Sequence, residues 1–219
     1  PSLTYGSSAT MSATSSVAGK ITFLANGSAI SGCSNVSEDV SNTASCTFTP
    51  TTTSSVAYTL NFTPTSTGFA SLSGVNSTSV TAAKAILSVQ PSASSVAYGG
   101  SPSYSLTYSG FVNNETTTSS TFTTGLTPPT CSAASYTTTT SVSASPLTIS
   151  CSGGVSTNYS FNTSATSNLT ISKARPTLNS WANLPKNYGD PSFALEGPTT
   201  NTPGTFTYGS SNSSIISLS

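Results

Sequence analysis

Apolar and polar residues alternate along much of this chain with the two-residue period of a β-strand. Ile21 and Phe23 flank Thr22, and Tyr58, Leu60 and Phe62 alternate with Thr59 and Asn61. Tyr104, Leu106 and Tyr108 repeat the pattern around Ser105 and Thr107. Leu147, Ile149 and Cys151 do the same, as do Tyr159 with Phe161 and Leu169 with Ile171. Successive strand side chains point to opposite faces, so this alternation predicts strands with one face on a core and one in water. Asn26-Gly27 predicts a tight hairpin, because both residues tolerate φ > 0. No window supports a long amphipathic helix: the Ala-containing stretch 79–89 also carries Val80, Ile86, Leu87 and Val89, which are strand formers. The expected class is all-β.

Two short markers recur about every 90 residues. Tyr-Gly stands at Tyr5-Gly6, Tyr98-Gly99 and Tyr188-Gly189, with Tyr208-Gly209 off the spacing and read as a coincidence within a strand, and Lys-Ala stands at Lys84-Ala85 and Lys173-Ala174. The spacing is close to the roughly 100 residues of an Ig-like sandwich. It divides the chain into units at 1–83, 84–172 and 173–219, the last about half complete. The joints carry no flexible Gly/Ser tract, so each unit is expected to run into the next as a stiff rod. An open half-sandwich cannot bury its core alone, and the third unit is expected to need a strand from beyond Ser219 or from another copy. The chain opens at Pro1, which suits a processed product or a piece of a longer polypeptide.

Composition separates a folded β-protein from a disordered stalk. About two residues in five are Ser or Thr, and only 5% are charged, against about a quarter in an ordinary domain. Yet 34% are hydrophobic, with nine Tyr, nine Phe and one Trp, more than a mucin-like stalk carries. Thr suits the wet face of a sheet, being β-branched with a hydroxyl. Net charge is zero and the five basic residues are scattered, apart from the pair Lys173 and Arg175, which leaves no footprint for nucleic acid or an anionic membrane. No apolar run approaches the roughly 20 residues of a membrane helix.

The four cysteines are Cys33, Cys46, Cys131 and Cys151, with no C-x-x-C pair and no His to complete a zinc site. They read as two disulfides. Three connectivities are open to four cysteines, and the repeat favours Cys33–Cys46 and Cys131–Cys151, one per whole unit. Such bonds persist outside the cytosol, which points to a secreted or cell-surface protein.

From Ser180 the chain reads Ser-Trp-Ala-Asn-Leu-Pro-Lys-Asn-Tyr-Gly-Asp-Pro-Ser-Phe-Ala-Leu, followed by Gly204-Thr-Phe-Thr-Tyr-Gly-Ser-Ser-Asn. This resembles bacterial Ig-like (Big-type) repeats. The middle unit, with Tyr98-Gly-Gly-Ser-Pro-Ser-Tyr-Ser-Leu, Asn158-Tyr-Ser-Phe and Leu169-Thr-Ile-Ser-Lys-Ala, is similar to the related MBG-type repeats. The first unit is similar to such repeats through Gly19-Lys-Ile-Thr-Phe-Leu-Ala-Asn-Gly and Tyr58-Thr-Leu-Asn-Phe. The resemblance spans the chain and implies tandem Ig-like β-sandwiches of long bacterial surface proteins, adhesins and stalks. It carries over no catalytic residue, and many such repeats lack the cysteines found here.

Candidate chemistry is sparse. With no His, neither a Ser-His-Asp nor a Cys-His arrangement can be built. Ser172-Lys173 is the one conceivable dyad, and it falls at a joint. Glu38-Asp39, adjacent between the first two cysteines, reads as a solvated loop tip. Asp190 and Glu196 are the alternative oxygen donors for calcium, though Gly189-Asp190-Pro191 reads first as a turn. A Lys–Asn isopeptide bond would call on Lys20, since Lys84 and Lys173 sit at joints. Nine N-x-S/T sequons begin at Asn26, Asn35, Asn61, Asn76, Asn114, Asn158, Asn162, Asn168 and Asn212, as chance allows in so hydroxyl-rich a chain. Phe69, Tyr98, Phe111, Tyr136 and Trp181 could line a sugar-binding patch, but packing is the stronger reading, with Trp181 as an inter-domain wedge. No enzyme and no cofactor are expected. The leading expectation is a structural building block whose partners are other copies of itself or neighbouring repeats. An adhesin module for surface glycans or proteins is the alternative.

Overall fold

The computed structural model describes residues 3–179, 184–195, 197–201 and 205–216. Up to Thr81 it forms seven strands: β1 (Ala9–Thr14), β2 (Gly19–Ala25), β3 (Ser28–Ala29), β4 (Val36–Ser37), β5 (Thr43–Phe48), β6 (Ser55–Pro64) and β7 (Leu72–Thr81). Strand β1 pairs antiparallel with β5, from Ala9↔Phe48 to Thr14↔Thr43. A second sheet has the order β3-β2-β6-β7, with β4 also on β2. Asn26 (φ 50°) and Gly27 (φ 80°) make the two-residue turn between β2 and β3. The inward faces of the two sheets meet over Ile21, Phe23, Cys33, Ala44, Cys46 and Phe62. A disulfide joins Cys33 to Cys46 with their Cα atoms 5.5 Å apart. Cys33 accepts through its carbonyl from Phe23 N while Cys46 lies in β5, so the bond ties one sheet to the other.

The remaining strands are β8 (Ala85–Ala93), β9 (Val96–Ala97), β10 (Tyr104–Ser109), β11 (Thr130–Ser132), β12 (Leu147–Ser152), β13 (Tyr159–Asn162), β14 (Ser167–Leu169) and β15 (Ile171–Ser172), with a one-turn helix α1 (Ser120–Thr123) and a 3-10 turn at Val142–Ala144. Strand β8 lies between β10, antiparallel, and β13, parallel. It alternates fully, with Ala85, Leu87, Val89 and Pro91 buried and Ile86, Ser88, Gln90 and Ser92 out. A second sheet has the order β11-β12-β14, and β9 pairs parallel with β15. Cys131 and Cys151 face each other across β11 and β12 and are bonded. The core beneath consists of Val96, Ala133, Ile149, Leu169 and Ile171.

Among the described residues, no ladder joins a strand before Ala82 to one after Lys84; the chain changes sheets within the three residues between β7 and β8. On the wet faces, hydroxyls pair across strands: Thr10 with Thr47 (3.1 Å), Thr14 with Thr43 (3.0 Å) and Ser92 with Ser105 (2.7 Å). Such pairs satisfy polar groups without charge. None of the described residues after Ser172 is buried. They hold an isolated antiparallel bridge, Leu178↔Thr200, and leave Leu178, Tyr188 and Ile215 exposed. No described helix is long and apolar enough to cross a membrane.

Candidate functional site

A polar and aromatic cluster forms where the first set of strands meets the second. Residues Leu3 and Thr4 run parallel to the end of the first set: Ala83 N donates to Leu3 O (2.8 Å) and Tyr5 N to Ala83 O (2.9 Å). The chain then reverses in a turn closed by Ser7 N to Thr4 O (3.0 Å). Gly6 supplies the positive φ, 71°, that the third residue of a type II turn requires. It also lies against the other half of the cluster, since a Cβ at Gly6 would come 2.2 Å from Val112 Cγ2.

This turn aims the Tyr5 ring away from its own sheets. Tyr5 is 1% exposed and packs with Ala85, Leu87, Phe122 and Tyr159 of the second set. Its ring meets Tyr159 edge-on at 5.6 Å, and Phe122, carried by α1, meets Phe111 edge-on at 5.0 Å. Such edge-to-face contacts add to the area buried. The two phenols converge on one carboxylate: Tyr5 OH donates to Glu115 Oε1 (2.6 Å) and Tyr159 OH donates to Oε2. Burial pushes the Glu115 carboxyl up, but hydrogen bonds from Thr121, Tyr159 and Tyr5 outweigh it and hold the group below the ordinary glutamate value. Burial, and then the hydrogen bond to Glu115, push both Tyr5 and Tyr159 above the usual tyrosine range.

Around this centre the contacts are backbone-directed. Pro50 O accepts from Gly6 N (2.9 Å) and from Asn113 Nδ2 (3.3 Å). Thr53 Oγ1 lies 3.1 Å from both Thr157 O and Asn158 Oδ1, and Lys84 Nζ donates to Ser156 O at 2.6 Å. The arrangement fixes two sets of strands against each other, and each carboxylate oxygen of Glu115 accepts from a phenol.

The same turn recurs. Ala97-Tyr98-Gly99-Gly100 closes by Gly100 N to Ala97 O (2.9 Å), with Gly99 at φ 85°. Tyr98 N donates to Ser172 O (2.9 Å), as Tyr5 N does to Ala83 O, and in both places the acceptor precedes a Lys-Ala pair. A third copy, Asn187-Tyr188-Gly189-Asp190, closes at 3.1 Å with Gly189 at φ 95°. The Tyr side chains differ in cover: Tyr5 is 1%, Tyr98 45% and Tyr188 101% exposed.

The other candidates from the sequence fall in separate places. Trp181 and Glu196 lie outside the described residues. Phe69 is exposed, Phe111 joins the joint cluster, and Tyr136 donates to Gly100 O at 2.6 Å, in the turn that carries Tyr98. Ser172 Oγ is directed to Val96 O rather than to Lys173. Lys20 is exposed on β2, where a buried isopeptide is not built. Glu38-Asp39 is more than a solvated tip: Glu38 Oε2 accepts from Gly19 N (2.6 Å), and Asp39 Oδ1 accepts from Ser41 N and Thr43 N. Among the described residues no three His, Cys, Asp or Glu gather as a metal site would require. Glu115, which the sequence offers only as an isolated acid, is the residue that sequence reasoning missed. Its one signal is its place just past the Tyr104–Tyr108 alternation.

Neither a family model, a curated protein nor a solved structure matches the chain.

Proposed function

We propose that this chain is a structural building block of a bacterial extracellular stalk, sheath or filament made of tandem Ig-like β-sandwiches. The observation that carries the reading is the joint, where Tyr5 of one set of strands is buried among residues of the next and bonded to Glu115. A bead-on-string arrangement has no need of such a contact, whereas a load-bearing rod depends on it. The reading draws further support from the repeated Tyr-Gly turn and from the short parallel strand ahead of it. Residues 1–83 and 84–172 are then two sandwiches, and residues 173–219 open a third. Two disulfides and a surface nearly free of charge suit service outside the cell.

Rotational diffusion measured by NMR relaxation tests this. A rigid joint makes residues 9–81 and 85–172 share one anisotropic rotational diffusion tensor. Two shorter, independent times would remove the rod and with it the structural reading.

A further inference from the structure

The two sheets of the first set enclose a half-open cavity of about 420 Å³, a volume in the range of small-molecule sites. All of its lining residues lie between Ala25 and Tyr58. One wall is the β2–β3 turn with Ile30 and Ser31 after it, and the other is the end of β5 with the residues that follow, 48–52. Val56 and Tyr58 of β6 complete it. Both walls are fixed by the fold itself. Asn26 N donates to Ala57 O (2.8 Å) and Ala57 N donates to Asn26 Oδ1 (2.9 Å), which clamps the turn to β6. Pro50 O accepts from Gly6 N and from Asn113 Nδ2, which holds the other wall. A site built in advance spares a ligand the cost of ordering it.

The lining narrows the kind of ligand. None of it is charged, and an ion would lose its hydration here without finding a counter-charge. Ile30, Phe48 and Val56 supply an apolar side, with the Phe48 and Tyr58 rings 5.5 Å apart. Ser31 and Thr51 bring hydroxyls to the same space. Tyr58 is only 8% exposed, and its phenol finds no hydrogen-bond partner among the described residues. Burial alone pushes that phenol above the usual tyrosine range. Buried polar groups in folded proteins are normally bonded, and the cavity that Tyr58 lines is where a partner can stand.

We propose that this cavity binds a neutral sugar ring, its C–H face on Ile30, Phe48 and Val56 and one of its hydroxyls bonded to Tyr58 OH. A pyranose joins an apolar face to a girdle of uncharged hydroxyls, and this lining offers the complement of both. The site goes beyond a structural role and is independent of it, since every lining residue belongs to the first set of strands.

Amide NMR spectra of the isotope-labelled full chain test the proposal, with methyl glucoside, methyl galactoside, methyl mannoside and N-acetylglucosamine as probes at millimolar concentration. At least one is expected to shift the amides of Ile30, Ser31 and Thr51 along a saturating curve. Glucuronate, the same kind of ring with a charge, should bind about tenfold more weakly or not at all. Tyr58→Phe keeps the ring and loses only the hydroxyl, so affinity should fall by about tenfold. The melting temperature of that variant should hold, because no bond of the free chain is removed. Ser31→Trp, at an exposed position, should fill the mouth and abolish the shifts. The proposal is overturned if none of the four sugars moves these amides, or if either variant binds as the parent does. It is overturned equally if indole moves them and no sugar does, which would leave a merely apolar cavity.

Discussion

Tyr5 and Glu115 are 110 residues apart in the chain and 2.6 Å apart in the fold. The bond between them joins two sets of strands that share no ladder. Its partner on the other side, Tyr159, makes the carboxylate a bridge between a turn of the first set and a strand of the second. Few contacts in the molecule depend so fully on both sets being correctly placed.

Glu115→Ala therefore separates joint stability from strand stability. It leaves two buried phenols without their acceptor, at a cost of about 1–3 kcal/mol. Urea unfolding should show a lower midpoint, and amide exchange near Tyr5 and Tyr159 should rise while exchange at Ile21 stays put. Glu115→Gln keeps an acceptor oxygen and should lose less.

Acid should reproduce the alanine variant. The Glu115 carboxyl is lowered in the folded chain, so its contribution is fully present above the unfolded value of about 4.3. It is lost as pH falls through the lower, folded value. Unfolding midpoints measured from pH 6 to pH 2 should decline for the parent and decline less for Glu115→Gln. Alkali acts through Tyr5 and Tyr159, whose raised values make the phenol form the stable one. Their contribution holds below the ordinary tyrosine value of about 10 and vanishes as pH climbs through the folded values.

Gly6→Ala tests whether the turn is under steric constraint. The substitution combines a left-handed φ with a contact 2.2 Å from Val112, and should cost more than the roughly 1–2 kcal/mol of the backbone term alone. Gly27→Ala is the control, with φ 80° and nothing within 4 Å of the added carbon. Thermal melts of the two variants should differ, with Gly6→Ala the lower.

Replacing both members of a cysteine pair by Ala should lower stability by about 2–4 kcal/mol. The Cys33–Cys46 bond ties two sheets together, whereas Cys131–Cys151 links neighbouring strands already joined by a ladder. Loss of the first should accordingly loosen packing around Ile21 and Phe23, seen as faster exchange in β2 and β5 together.

Local features were readable from the sequence because their causes are local. Asn26-Gly27 marks a turn through its own backbone preference, and Leu147, Ile149 and Cys151 announce a strand by their spacing. Burial was less readable: Ile86 is a strand former of the same kind as Leu87, yet it lies outward and 68% exposed, because alternation puts only one of two neighbours inside. Pro91 sits buried within β8 beyond the stretch that pairs with β13, a position that composition alone argues against. The joint was hidden for a different reason. Tyr5 showed itself as a repeat marker, but its acceptor lies in a distant loop, and no periodicity links the two. Glu38 was misjudged likewise, since its partner is a backbone amide and backbone amides have no sequence signature.

The cross-strand hydroxyl pairs, Thr10–Thr47, Thr14–Thr43 and Ser92–Ser105, have a consequence for the medium in which the chain can work. Ionic atmospheres weaken forces between exposed charges over about 10 Å at 0.1 M salt, but a hydroxyl-to-hydroxyl contact offers them no charge to screen. A coat of Ser and Thr should therefore keep its shape and its wetting in rainwater and in brine alike.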